Sequence, residues 1–179
     1  MTYSLNPADL EELNLGGMGL TSISDQTSFN SVCREIARRS TTSPYREGEE
    51  GASFSKLLSR IEEEGDGTIK TGWGGVVIEK HEHPLVEKYL VVRAQHFLAF
   101  EKHDLKEESL FPRSGSGVLL HRRAGEDVVR VLPLTPGQQF DIVPGEEHCI
   151  IAGSDLVVFE RSLDHKGMDQ DLIFLFTPE

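Results

Sequence analysis

The chain has 179 residues, 37% hydrophobic and 27% charged, the composition of one ordinary globular domain rather than a fibrous or low-complexity chain. Its 18 Lys and Arg are outnumbered by 30 Asp and Glu, giving a formal charge of −12. Such a surface repels phosphate backbones, which argues against a general nucleic-acid binder. No apolar run approaches the roughly 18 residues of a membrane span. The opening MTYSLNPADLEEL has no basic stretch leading into an apolar one, so no secretory leader and no membrane partner are expected. Two cysteines, Cys33 and Cys149, form no disulfide framework, and a reduced, cytoplasmic setting is expected.

Helical signals dominate the start. Asn6 is placed to cap a short helix with Pro7 in its first turn, and Gly16-Gly17 to end it. Phe29, Val32, Cys33, Ile36 and Ala37 repeat at helical spacing, as do Phe54, Leu57, Leu58 and Ile61, with Gly65 as a stop. Ser40 to Gly51 is polar and turn-rich and reads as a loop. Arg34, Arg38, Arg39 and Arg46 concentrate positive charge here; a solvated helix face accounts for them better than an anion patch does. The pattern changes near Gly65–Gly72. Short β-rich runs follow: WGGVVIE, EKYLVV, FLAFEKH, GVLLH, DVVRVLPL, QFDIVP, HCIIA, DLVVFE and DLIFLF. Turn residues separate most of them, the signature of an antiparallel sandwich or barrel. No GxGxxG or GxxxxGK[ST] motif and no strand–helix alternation is present, which disfavours nucleotide-binding α/β folds.

Seven histidines are present, and some sit at informative positions. Glu101 and His103 are two apart on one predicted strand and so share a face. Glu108 follows, then Gly115, and later the run Pro144-Gly145-Glu146-Glu147-His148 precedes another strand. Imidazole nitrogens and carboxylate oxygens gathered from separate strands suit Zn, Mn, Fe or Ni. Glu101, His103, Glu108 and His148 are the candidate metal ligands. A competing set, Gly75, His81, His83 and Glu87, has similar spacing, but His83-Pro84 reads as a turn rather than a strand interior.

These segments resemble the two motifs of the cupin superfamily. His103, Glu108 and Gly115 match the first His, the Glu and the final Gly of its first motif, and Pro144, Gly145 and His148 match the second. Within that superfamily the chain looks like the type II phosphomannose isomerases and their small relatives. TGWGGVVIE, Lys88-Tyr89-Leu90-Val91-Val92 and LAFEKHDLKEESLF run in register with the corresponding isomerase stretches, and Lys106 falls next to a basic position of that motif. Leu105 stands where the second His of His-x-His would be, Glu101 where the isomerases have Gln, and Ser109 where they have His. Leu105→His would rebuild His-x-His and is expected to restore in part the metal binding lost in Glu101→Ala.

The resemblance implies an all-β double-stranded β-helix, a cupin jelly roll, over residues 71–179, preceded by an N-terminal helical arm over 1–70. The arm's two apolar stripes are expected on the outside of one sheet, and edge-to-edge pairing into a homodimer is expected. The implied function is a metal-dependent isomerase of a sugar or sugar phosphate, working through an enediol with Glu160 as the base. A non-catalytic carbohydrate-binding or regulatory cupin is the alternative, favoured by Leu105 and Ser109. An iron-dependent dioxygenase is a third, though it calls for more imidazole. Lys102, Arg113, His121, Arg123 and Arg161 are candidates for holding a phosphate, with Lys102 facing away from His103. Cys149 faces opposite to His148 and reads as a buried hydrophobe. Trp73 reads as core, and His165, Asp169 and Asp171 read as a polar loop.

Overall fold

The computed structural model describes residues 1–40 and 53–179. Most of the polar loop expected from Ser40 to Gly51, with Arg46, lies outside the described residues.

The N-terminal segment contains β1 (Tyr3–Leu5), α1 (Pro7–Glu12), β2 (Ser22–Ile23), α2 (Gln26–Ser40) and α3 (Phe54–Glu62). Asn6 caps α1 as expected, its side-chain oxygen accepting from the Asp9 N–H at 3.0 Å, but the helix ends at Glu12, before Gly16. From Thr68 onward the described chain is strands and turns: β3 (Thr68–Thr71), β4 (Gly74–Glu82), β5 (Leu85–Val92), β6 (Phe100–His103), β7 (Glu107–Ser114) and β8 (Gly117–Arg122) come first. Then follow β9 (Val128–Leu134), β10 (Phe140–Ile142), β11 (Glu147–Ala152), β12 (Leu156–Leu163) and β13 (Leu172–Phe176). They form a seven-stranded sheet, β13-β6-β11-β8-β9-β1-β2, and a six-stranded sheet, β10-β7-β12-β5-β4-β3.

Two expectations about the arm need correcting. It is not wholly helical or wholly outside the barrel: β1 joins the seven-stranded sheet in parallel with β9, with Ser4 opposite Val128. YSL and SI are too short to show an alternation, so the sequence gives no sign of them. Nor do the two apolar stripes share a sheet. Phe29, Val32, Cys33, Ile36 and Ala37 of α2 pack with Phe97, Phe100, Leu120, Cys149 and Ile151 on the seven-stranded sheet. Leu57 and Ile61 of α3 pack with Val77, Val91 and Val157 on the other.

Between the sheets lies a third cluster, including Val76, Leu90, Val92, Leu110, Leu119, Ile150, Leu156 and Val158. Strand alternation sorts these layers. On β5, Leu90 and Val92 point inward while Val91 meets α3; on β11, Ile150 points inward while Cys149 and Ile151 meet α2. Cys149 is thus the buried hydrophobe its neighbour His148 implied. At neutral pH, the burial of each large apolar side chain contributes on the order of 1.5–3 kcal/mol.

Two glycines fix the connections that carry the site. Gly115 (φ 82°) turns β7 into β8 at a place where a Cβ would strike the Asp155 carbonyl. Gly145 (φ 85°) donates its N–H to the His103 carbonyl at 2.7 Å, tying the second sequence motif to the first.

Candidate metal centre and cleft

Odd residues of β6 and even residues of β7, β11 and β12 face the space between the sheets, so strand period decides which side chains meet. Glu101 and His103 come from β6, Glu108 from β7 and His148 from β11, where it stands opposite Glu101. The structure brings all four together. His148 Nε2 lies 2.7 Å from Glu108 Oε1 and 3.5 Å from Glu101 Oε1. His103 Nε2 lies 3.8 Å from Glu108 Oε2 and 3.9 Å from Glu101 Oε1. One ligand atom each from Glu101, His103 and His148 falls within 4.8 Å of the others, a possible metal site.

The donor set fits a divalent cation. His103 Nε2 is buried without a hydrogen-bond partner, while the Glu108 oxygens beside it meet His148 Nε2 at 2.7 Å and Lys106 Nζ at 2.9 Å. A buried polar atom left unpaired is costly, and a cation at this convergence would satisfy it. His103 is already oriented for this: its Nδ1 donates to the Asp171 carbonyl at 3.2 Å, which leaves the Nε2 lone pair facing the site. The Asp171 carboxylate in turn accepts the N–H groups of Leu105 (2.7 Å) and Lys106 (2.9 Å), shaping the bend after β6.

That bend corrects the expectation for Leu105. Leu105 is 55% exposed and does not line the cleft, so a histidine there would sit on the surface. Lys106 turns inward instead. It is buried, with Nζ 2.9 Å from Glu108 Oε2 and 3.2 Å from Glu160 Oε2. Lys88 on β5 approaches Glu160 Oε2 at 3.5 Å and Asp169 Oδ1 at 3.4 Å. Burial pulls the Lys106 pKa down, but Glu160 and Glu108 outweigh it and hold the ammonium well above its ordinary range. Lys88 is likewise raised: burial opposes its charge, and Glu160 and Asp169 restore it. Burial pushes the Glu108 carboxyl up, yet Lys106, His148 and His103 drive it well below the usual range. Burial also disfavours a charged His148, but Glu108 and Glu101 lift it to about 10, so a metal ion entering the pocket displaces a proton.

The centre opens into a cleft of about 310 Å³ between the edge strands β3 and β13. Its walls include Ile69, Trp73, Leu98, Leu172 and Phe174, and Glu101, His103, Lys88, Lys106 and Glu160 also line it. Trp73 packs against the inter-sheet cluster and also lines this cleft. Glu160 is buried and faces the cleft, with the Ser162 hydroxyl 3.3 Å from its Oε2.

The other sequence candidates lie elsewhere. His81 and His83 are exposed at the β4–β5 hairpin, and Glu87 meets Arg161 at 3.5 Å. None of Lys102, Arg113, His121, Arg123 and Arg161 lines the cleft. His121 is 2.9 Å from Glu146, and Arg113 stacks over Phe111 and Phe159. On α2, Arg38 and Arg39 pair with Glu35 and Arg34 meets the Glu179 carbonyl, so these three belong to a solvated helix face. Sequence reasoning missed Lys88, Asp169 and Asp171 as parts of the site, and placed Lys106 only by register.

No protein-family model matches this sequence, and no curated protein matches it. Solved structures do. CapF, the capsular polysaccharide assembling protein of Staphylococcus aureus, superposes with a TM-score of 0.54 at 19% identity, over 60% of this chain and 31% of its own. Bacillus subtilis oxalate decarboxylase, a protein with Mn(II) centres, gives 0.53 at 16% identity, over 65% of this chain and 31% of that one. Lactobacillus farciminis oxalate decarboxylase gives 0.51 at 15% identity, over 60% and 33%. The matched region is thus about a third of the length of each of these proteins. At such identities the likeness is one of fold. With the two facing sheets described above, it shows that this chain has the cupin jelly-roll fold.

Proposed function

We propose that this chain is a metal-dependent isomerase of a small sugar or sugar phosphate. Glu101, His103, Glu108 and His148 hold a divalent ion, and Glu160 moves the proton. The observation that supports this reading is a convergent, largely buried donor set whose His103 Nε2 has no hydrogen-bond partner, next to a cleft that also presents a carboxylate. Two carboxylates and two imidazoles suit zinc, and the Mn(II) centres of the oxalate decarboxylase that shares this fold support manganese as the next candidate. The sequence resemblance to phosphomannose isomerases supports the substrate class.

A divalent ion held there would polarise a bound carbonyl and its neighbouring hydroxyl. Lys106, Lys88 and Ser162 hold the Glu160 carboxylate at the cleft through contacts of 3.2, 3.5 and 3.3 Å. From that place it takes a proton from C2, beside the carbonyl, and returns it to C1, while the C2 hydroxyl hydrogen passes to the C1 oxygen, which converts aldose to ketose through an enediol. Trp73 and Phe174, which line the cleft, offer flat apolar faces to a sugar ring.

The test is solvent deuterium exchange at C2 of hexose phosphates and free aldoses, with zinc or manganese supplied. Incorporation at one of these sugars supports the reading, and none at any of them overturns it. The exposed Leu105, which leaves the centre one imidazole short of the full motif, favours a second reading: a carbohydrate-binding cupin without turnover. Saturable sugar binding without exchange would identify it.

A further inference from the structure

We propose that Lys88 is the anchor for an anionic group of the ligand, and that Asp169 occupies this anchor until the ligand displaces it. The inference deepens the reading of the same cleft and rests on it for the presence of a metal. Lys88 reaches the cleft from β5 with its side chain only 7% exposed, and its ammonium has two carboxylate partners of different kinds. Glu160 is a strand residue, itself buried, and directly opposite Lys88 in the β12–β5 ladder. Asp169 belongs to the polar turn between β12 and β13, and its side chain is 42% exposed.

The Asp169 contact is built to be exchangeable. Its carboxylate stands 3.4 Å from Lys88 Nζ at the mouth of the cleft. Its backbone is in the left-handed region (φ 59°), steadied by an N–H donated to Asp164 Oδ2 at 3.2 Å. Lys88 thus has one partner fixed on a buried strand position, Glu160 at 3.5 Å, and one at the rim, Asp169 at 3.4 Å. A carboxylate or phosphate on an incoming ligand offers the same charge and the same acceptor oxygens to Lys88. It gains access because the Lys88–Asp169 pair, half open to water, is held by little. A neutral sugar has nothing to exchange for Asp169, so the cleft discriminates in favour of anions.

Trp73 is the single tryptophan of the chain and lines this cleft, so its fluorescence reports occupancy. The experiment titrates the metal-loaded protein with inorganic phosphate, with malonate and with neutral glucose, for the natural chain, Asp169→Asn, Lys88→Met and Lys88→Arg. Asp169→Asn, which keeps shape and removes charge, should tighten anion binding by about fivefold, the scale of a partly exposed ion pair. Lys88→Met should weaken it by roughly tenfold or more. Lys88→Arg, which keeps the charge, should retain it and guards against a merely unfolded Met variant. A response to phosphate alone identifies a phosphorylated ligand, and a response to malonate alone a carboxylate. Unchanged or weaker binding in Asp169→Asn overturns the displacement, and unchanged binding in Lys88→Met overturns the anchor. Anion binding that follows this pattern without any deuterium exchange leaves the inference standing and removes only the isomerase reading.

Discussion

The two ends of the space between the sheets are made by the same strands and differ in kind. Along β7 the inward positions run from Glu108 to Leu110, along β11 from His148 to Ile150 and Ala152. Along β12 they run from Glu160 to Val158 and Leu156, and along β5 from Lys88 to Leu90 and Val92. One end is apolar and stabilises the barrel by burial; the other holds charged side chains that are almost as thoroughly buried. The alternation that closes the barrel is indifferent to which inward side chain a position carries, so long as its partners compensate. At the apolar end, compensation is contact. At the charged end it is opposite charge, and the unpartnered Nε2 of His103, facing Glu101 and Glu108, marks where a cation would fit.

Two substitutions on one strand separate these roles. Glu108→Ala removes the carboxylate that faces Lys106, His148 and His103, leaving the buried Lys106 with Glu160 at 3.2 Å and the buried His148 with Glu101 at 3.5 Å as their remaining carboxylate partners. It should cost about 3–5 kcal/mol of stability and abolish zinc and manganese binding. Leu110→Ala, two residues along in the apolar cluster, should cost a comparable ~2–5 kcal/mol through the cavity it opens, with metal affinity retained. Urea unfolding and calorimetric metal titration of both variants measure the contrast. Glu108→Ala protein that still binds zinc like the natural chain would move the centre elsewhere, with His81 and His83 next to be tested.

A smaller effect falls on Glu101, which is less enclosed, with its side chain 18% exposed. Glu101→Ala should weaken metal binding by about ten- to a hundredfold while leaving stability of the metal-free protein within roughly 1 kcal/mol. Leu105→His in that background should restore nothing, because Leu105 sits on the outside of the bend that Asp171 holds. Restoration of affinity would mean that this bend rearranges to bring residue 105 into the site.

Much of this arrangement is legible in the sequence, and the gaps have physical reasons. The short β-rich runs from residue 74 onward mark strands because turn residues bracket them. The motif register finds Glu108 although β7 itself, EESLFPRS, opens on charges and contains Pro112 and so hides its alternation. The apolar stripes of α2 and α3 show that each helix has a buried face, but a stripe carries no label for its partner sheet, and the two pack on different ones. Asp171 is illegible in another way: it meets His103 across 68 residues of chain, from a loop whose composition suggests solvent. Lys88 and Lys106 look like the exposed lysines of any acidic protein; only the pairing of β5 with β12 places Lys88 opposite Glu160.

The smallest expected effect concerns a buried carboxylate that is complete without a cation. Asp9 on α1 accepts from Arg130 Nε at 2.7 Å, from Arg130 Nη2 at 3.1 Å and from the Val131 N–H at 3.0 Å, tying the N-terminal segment to β9. The Arg130 hydrogen bonds lower its pKa, burial opposes them, and the Val131 N–H adds to the lowering. A carboxyl whose pKa is lower in the folded than in the unfolded chain contributes stability above its unfolded value of about 3.9. That contribution is lost as the pH falls through the folded value. Arg130 is 45% exposed, and solvent screening limits the pair's worth to about 1 kcal/mol at neutral pH. Asp9→Asn should therefore cost about that much in urea unfolding at neutral pH, and the difference from the natural chain should shrink as the pH falls below the unfolded value and through the lowered folded one. Metal affinity should not change, because Asp9 satisfies its own oxygens from β9 and shares no contact with the centre. A parallel loss of zinc binding in Asp9→Asn would show that the charged end of the barrel depends on how the N-terminal segment is fastened, and the two regions would no longer be separable.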